Sequence, residues 1–144
     1  MAGCRITSEQ RKGHENKNPK IPIETPEGRK KYLVLGSING EVNMYEKYGI
    51  DRYADSCLVS VDREFRQRGL AMELYNRSLT LLRANGFTHL KIVFTSAFSR
   101  RNAEKLGFVE LARKRFLDFV DENGQQVLPN AEPDDVCTLG ILML

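Results

Sequence analysis

The run Leu58-Val59-Ser60-Val61, followed closely by Arg66-Gln67-Arg68-Gly69-Leu70-Ala71, has residue types and spacing that suit the binding of a phosphate-rich anion. An apolar strand passes through a short turn into a helix that opens on small residues. N–H groups at a helix start have no intrahelical partners, and the helix dipole adds partial positive charge, so main chain alone can hold a pyrophosphate. Gly69 and Ala71 let a ligand approach the backbone closely, while Arg66 and Arg68 put charge nearby. A glycine at any strand-to-helix turn presents a similar pattern, so a purely structural reading stands beside the anion site.

The elements that must position this cradle follow from periodicity. Residues 53–61 read as a strand with an apolar end, and Asp62-Arg63-Glu64-Phe65 makes the turn. In the helix that follows, Ala71, Leu74, Tyr75, Ser78 and Leu82 line one face, Glu73, Asn76, Arg77, Thr80 and Arg83 the other, and Asn85-Gly86 stops it. Residues 90–95 are rich in β-branched and aromatic side chains and predict a second central strand, parallel to the first because a helix connects them. Ser99 begins a short helix with Ala103 and Leu106 apolar and Gly107 as its stop. Residues 108–120 form a long strand, Asn123-Gly124 a turn, and residues 136–144 a last apolar strand, the two pairing antiparallel. Upstream, Thr25-Pro26 reads as a cap with proline in the first turn, and Leu35, Ile38, Val42 and Tyr45 carry a helix to about Tyr48. The class is α/β (α+β), with one domain over residues 25–144.

Composition bounds the function. A chain of 144 residues fits a single domain with one active site, and no apolar run approaches bilayer length. The first thirty residues are polar and lack an apolar leader, which gives the expectation of a cytoplasmic protein with no membrane partner. Cys4, Cys57 and Cys137 form neither an even disulfide set nor a metal-ligand spacing, so reduced thiols and no metal are expected. The net charge of +3 is concentrated early: residues 1–31 hold eight Lys or Arg against four Glu. Residues 1–24 are poor in apolar periodicity and read as a flexible basic arm. Such an arm is a possible contact for nucleic acid, but it has no aromatics and no repeated basic run, so solvated disorder is preferred and no nucleic-acid partner is expected. His14 and His89 are the sole imidazoles, one in the arm and one before a strand, and neither carries a catalytic signature.

The order of motifs, with Arg66-x-x-Gly69-x-Ala71 opening the main helix and Leu106-Gly107-Phe108 closing the short one, resembles the acetyl-CoA half of the GNAT acetyltransferase superfamily over about residues 30–144. Within it, Tyr45-Glu46-Lys47-Tyr48-Gly49-Ile50-Asp51-Arg52-Tyr53, Ser60-Val61, Val93-Phe94-Thr95-Ser96 with Ser99, and Glu104-Lys105-Leu106-Gly107-Phe108 are similar to arylalkylamine N-acetyltransferase-like proteins of arthropods. The resemblance implies a mixed central sheet with helices on both faces, shortened at its N-terminal side. It implies transfer of acetyl from acetyl-CoA to the primary amine of a dopamine-, serotonin- or tryptamine-like arylalkylamine, by a monomer or weak homodimer.

The same resemblance assigns roles. The pantetheine arm runs along Val59, Ser60 and Val61, and the pyrophosphate sits on Gln67, Arg68, Gly69, Leu70 and Ala71 with Arg66 alongside. Many relatives have glycine at the position of Gln67, and a positive φ there would cost glutamine on the order of 1 kcal/mol. Backbone N–H groups near Val59 and Ser60 are the implied oxyanion donors. The tyrosine that many GNAT enzymes place in the short helix is matched by Ala103; the arylalkylamine branch instead resembles this chain in having hydroxyls around the strand-to-helix turn, which implies Ser99 and Thr95 for the departing thiolate, with capping an alternative or additional role for Ser99. No glutamate matches the general base expected from the early half, since Glu41 and Glu46 read as the wet face of their helix. The alternative is therefore a catalytically impaired acyl-CoA-binding remnant of such an enzyme.

Overall fold

The computed structural model describes residues 1–14 and 25–144. Strand β1 (Gly3–Arg11) is followed by helices α1 (Pro26–Asn39) and α2 (Met44–Tyr48), then β2 (Arg52–Val61), α3 (Leu70–Ala84), β3 (His89–Phe94), α4 (Ala97–Leu106), β4 (Val109–Arg115) and β5 (Val136–Met143). The strands form one mixed sheet in the order β1-β2-β3-β5-β4, with β2 and β3 parallel and the other neighbours antiparallel. Helices cover both faces. On one, α3 and α4 bring Tyr75, Leu79, Leu82 and Ala103 against Ala54, Leu90, Ile92, Phe94 and Leu142. On the other, α1 and α2 bring Val34, Ile38, Met44 and Tyr45 against Tyr53, Cys137, Leu139 and Ile141. Strand β5 is buried through Leu142 because both of its faces are covered, which is why it reads as a near-continuous apolar run.

Gly140 sits where the packing is tightest. A Cβ there would lie 2.9 Å from a ring carbon of Phe94, which itself meets Phe108 edge-on at a centroid distance of 5.3 Å. The backbone must pass this aromatic pair with no side chain at all.

Four expectations are corrected. The basic arm over residues 1–24 is a strand over Gly3–Arg11, paired with β2 along its length, and residues 15–24 of that arm lie outside the described residues. The Arg5 guanidinium stacks 4.1 Å above the Tyr75 ring of α3, with its nitrogens buried and without a hydrogen-bond partner, and Glu9 pairs with Arg11 and Arg52. The helix expected to Tyr48 ends at Asn39, and α2 restarts after Asn43, whose side chain accepts from Tyr45 and Glu46 N–H. The α4 cap is Ser96 rather than Ser99. The strand expected to Val120 ends at Arg115, where Phe116–Asp118 makes a 3₁₀ turn held by the Arg115–Asp118 pair.

Candidate functional site

Strands β2 and β3 run side by side only from Ala54 to Ser56, opposite Leu90 to Ile92, and then separate. One edge of β2 stays paired with β1 as far as Val61, so the other edge, from Cys57 to Val61, is left without a strand neighbour. The register of β1 on β2 skips Cys57: Ile6 faces Leu58 and Thr7 faces Ser56, a bulge that re-aims the strand where the sheet opens. The wedge continues into a cleft of about 810 Å³ that passes through the sheet, lined by Tyr75 and Asn102 on the α3–α4 side and by Lys31 and Leu35 of α1. An extended ligand fits such a wedge as an added strand, because the free edge offers main-chain donors and acceptors at strand spacing.

The cradle lies at the wide end of this wedge. After Val61, Asp62 accepts from Glu64 N–H and closes a 3₁₀ turn over Arg63–Phe65, and the Arg66 guanidinium donates from Nε to the Val61 carbonyl at 3.1 Å. Gln67 has φ 61° and Gly69 φ 76°, two left-handed residues within three positions. Gly69 caps α3 without a side-chain bond, and the first helical turn closes with Glu73 N–H on the Gly69 carbonyl. The N–H groups ahead of Glu73 are therefore the unsatisfied start of a 15-residue helix, aimed at the cleft that Leu70 and Ala71 line. Gln67 is the sole non-glycine with positive φ among the described residues, which meets the condition under which glutamine is strained at this position.

Val59, Ser60, Val61, Arg66, Gln67, Gly69, Leu70, Ala71, Thr95 and Ser99 all line the cleft. Arg68 does not; its guanidinium lies over the Phe65 ring at 5.5 Å. Thr95 is exposed just beyond the end of β3. Ser99 is committed to a capping box: its hydroxyl donates to the Ser96 carbonyl at 2.8 Å and accepts from Ser96 N–H, while the Ser96 hydroxyl accepts from Ser99 N–H. Ala103 is buried against Tyr75, Ile92 and Phe94, so that position faces the core rather than the cleft.

Sequence reasoning missed several lining groups besides Lys31 and Leu35. Asn102 and Lys105 project from α4, Tyr75 forms the floor and Phe98 the rim. Tyr75 is 1 % exposed and reads as core from its helical period, which it also is. Burial raises its hydroxyl above the usual tyrosine range, with Arg5 opposing. Asn102 adjoins buried Ala103 in a helix of high polarity, and no periodicity distinguishes a polar residue facing a cleft from one facing solvent.

No family model matches the sequence. Among solved structures, arylalkylamine N-acetyltransferase 2 of Aedes aegypti superposes with a TM-score of 0.76 at 25 % identity, over 99 % of this chain and 67 % of its own. A putative arylalkylamine N-acetyltransferase 7 from the same mosquito gives 0.83 at 23 % identity, over 99 % and 58 %. A Drosophila melanogaster polyamine N-acetyltransferase, which forms N-acetylagmatine, gives 0.78 at 18 %, over 99 % and 69 %. The chain thus spans between 58 % and 69 % of the length of these proteins. It has the GNAT acyltransferase fold, and the solved structures it is similar to over nearly its whole length include arylalkylamine N-acetyltransferases.

Proposed function

We propose that this protein transfers acetyl from acetyl-CoA to the primary amine of an arylalkylamine. The observation that carries the reading is the wedge between β2 and β3 running into the open start of α3, because it offers one ligand both a strand edge and an anion cradle. The residues fit that ligand. The free edge at Val59–Val61 would take the pantetheine amides, and the N–H groups from Gln67 to Ala71, with Arg66, would take the pyrophosphate.

An amine attacks a thioester only when neutral, and negative charge then develops on the carbonyl oxygen and the sulfur. Asp62 N–H donates to the Ala2 carbonyl, so by the alternation of an antiparallel ladder Ser60 N–H also points to β1, and the Val59 N–H on the unpaired edge would be the oxyanion donor. Thr95 or Ser99 would donate to the thiolate, Ser99 only by releasing the Ser96 carbonyl it now holds. The test mixes purified protein with acetyl-CoA and a panel of dopamine, tryptamine, serotonin and agmatine, and follows thiol release. Turnover of the aromatic amines ahead of agmatine supports the reading, and preference for agmatine moves the substrate class to polyamines.

One observation favours a second reading, an acyl-CoA-binding remnant without turnover: Gln67 strains the cradle at a left-handed position. CoA binding with no thiol release for any amine would establish it.

A further inference from the structure

On the face of the sheet covered by α1 and α2, the wedge opens beside a polar cluster that no sequence motif marks. Asp55 immediately precedes Ser56, the last β2 residue paired with β3. Its carboxylate lies 3.4 Å from Lys91 Nζ on β3, and the same ammonium donates to the Tyr53 hydroxyl at 3.4 Å. The Lys91 side chain is 5 % exposed and that of Asp55 21 % exposed, so the cation is sealed in while the carboxylate still reaches solvent. Across the ladder from Asp55, β1 places Ser8, whose hydroxyl accepts from Gln10 at 3.1 Å and meets Cys57 Sγ at 3.4 Å. Cys57 is the bulge residue and lines the cleft. Beyond these, His89 of β3 packs on Tyr48 of α2, and Tyr45 of α2 packs on Tyr53. Lys91 is thus the ionisable partner of Asp55 and is shared with Tyr53, Cys57 Sγ donates to the Asp55 carbonyl at 3.5 Å, Lys31 of α1 lines the same cleft as Cys57, and His89 and Tyr45 stand behind.

We propose that Asp55 is the proton acceptor for the incoming amine, with Lys91 as the positioning residue that holds the carboxylate oriented at the apex of the wedge. The inference rests on the acetyl-transfer reading and supplies the base that the sequence did not show. An arylalkylammonium approaching from the α1–α2 face gives one proton to the Asp55 carboxylate, which passes it to solvent. The neutral amine forms the C–N bond to the acetyl carbon as the C–S bond breaks, and its second proton ends on the departing sulfur. The cofactor enters through the α3–α4 side, so the two reactants meet through the opening rather than competing for one face. Burial holds the Asp55 carboxyl above the ordinary aspartate range, with Lys91 pulling against it, which makes it a stronger base than a surface aspartate.

The test compares wild type, Asp55→Asn, Asp55→Glu and the double variant Asp55→Asn/Lys91→Met, which removes both charges so that no buried ammonium is left unpaired. Each is measured for the pH profile of kcat/KM with the best amine and for its CoA-induced rise in Tm. The expected result is a loss of kcat/KM of about 100-fold or more in both Asn variants, with the acidic limb of the profile flattened, the CoA-induced Tm rise unchanged, and partial recovery in Asp55→Glu. An acidic limb that persists in Asp55→Asn with activity within about threefold of wild type overturns the assignment and leaves acetyl transfer standing. Loss of the CoA response together with activity overturns it as well, since a structural role would explain both. Wild-type protein that binds CoA but acetylates no amine overturns acetyl transfer, and the assignment with it.

Discussion

Gln67 is where the residue scale decides most. Its left-handed backbone, φ 61°, costs an L-residue about 1 kcal/mol that glycine would not pay. Gln67→Gly is expected to raise stability by up to about 1 kcal/mol, less the extra chain entropy of glycine, as read by urea unfolding. Gly69→Glu acts in the opposite direction. It forces a side chain onto φ 76° and sets a carboxylate against the start of α3, so the CoA-induced rise in Tm should vanish. Equal CoA stabilisation of this variant and the wild type would remove the cradle from the site. Asp55 carries a pH signature. A carboxyl whose folded pKa is raised binds its proton more tightly in the folded state, so its contribution is full below the unfolded pKa and is lost as pH rises through the folded one. The stability of wild type relative to Asp55→Asn should therefore fall as pH rises from the ordinary aspartate range upward, by denaturation at a series of pH values.

At the scale of elements, the capping box at the start of α4 separates two roles of one hydroxyl. Ser96→Ala removes the cap alone and should cost about 1 kcal/mol with little change in kcat, whereas Ser99→Ala removes the cap partner and the candidate thiolate donor together. Equal kcat in both would reduce Ser99 to a cap. Gly140→Ala drives a methyl into the Phe94 ring and should destabilise by about 1–3 kcal/mol, visible as a lower urea midpoint. The sequence made β2, α3, β3 and β5 legible because each has a face or run apolar enough to set its own period. It hid β1, whose GCRITSEQR is polar on both faces and is held by pairing and by the Arg5–Tyr75 stack, neither of which leaves a local signal. It marked the cradle, because small residues at a strand-to-helix turn report backbone geometry. It missed Asp55 and Lys91, whose proximity arises only when two strands 36 positions apart come into register.

For the whole molecule, β1 stands at one edge of the sheet, with Ile6 53 % exposed on a strand of nine residues. Unpaired edges of that length invite pairing with other chains. Ile6→Lys should lower concentration-dependent self-association, as measured by analytical ultracentrifugation. Among the described residues no helix is long and apolar enough to cross a membrane, and no group of His, Cys, Asp and Glu could hold a metal ion.

The short pairing of β2 with β3 also has a mechanical side. β1 and β2 run together along their full length, and β3, β5 and β4 form a second unit, yet the ladder between the two extends only from Ala54 to Ser56. A ladder this short leaves few main-chain bonds to hold the β1–β2 unit to the rest of the sheet, so local opening should be easiest along this seam. A ligand laid along residues 57–61 lengthens the joint and turns the seam into a brace. Amide exchange should then slow on binding not only along the cleft edge of β2 but in β1, on the far side of a strand the ligand never touches.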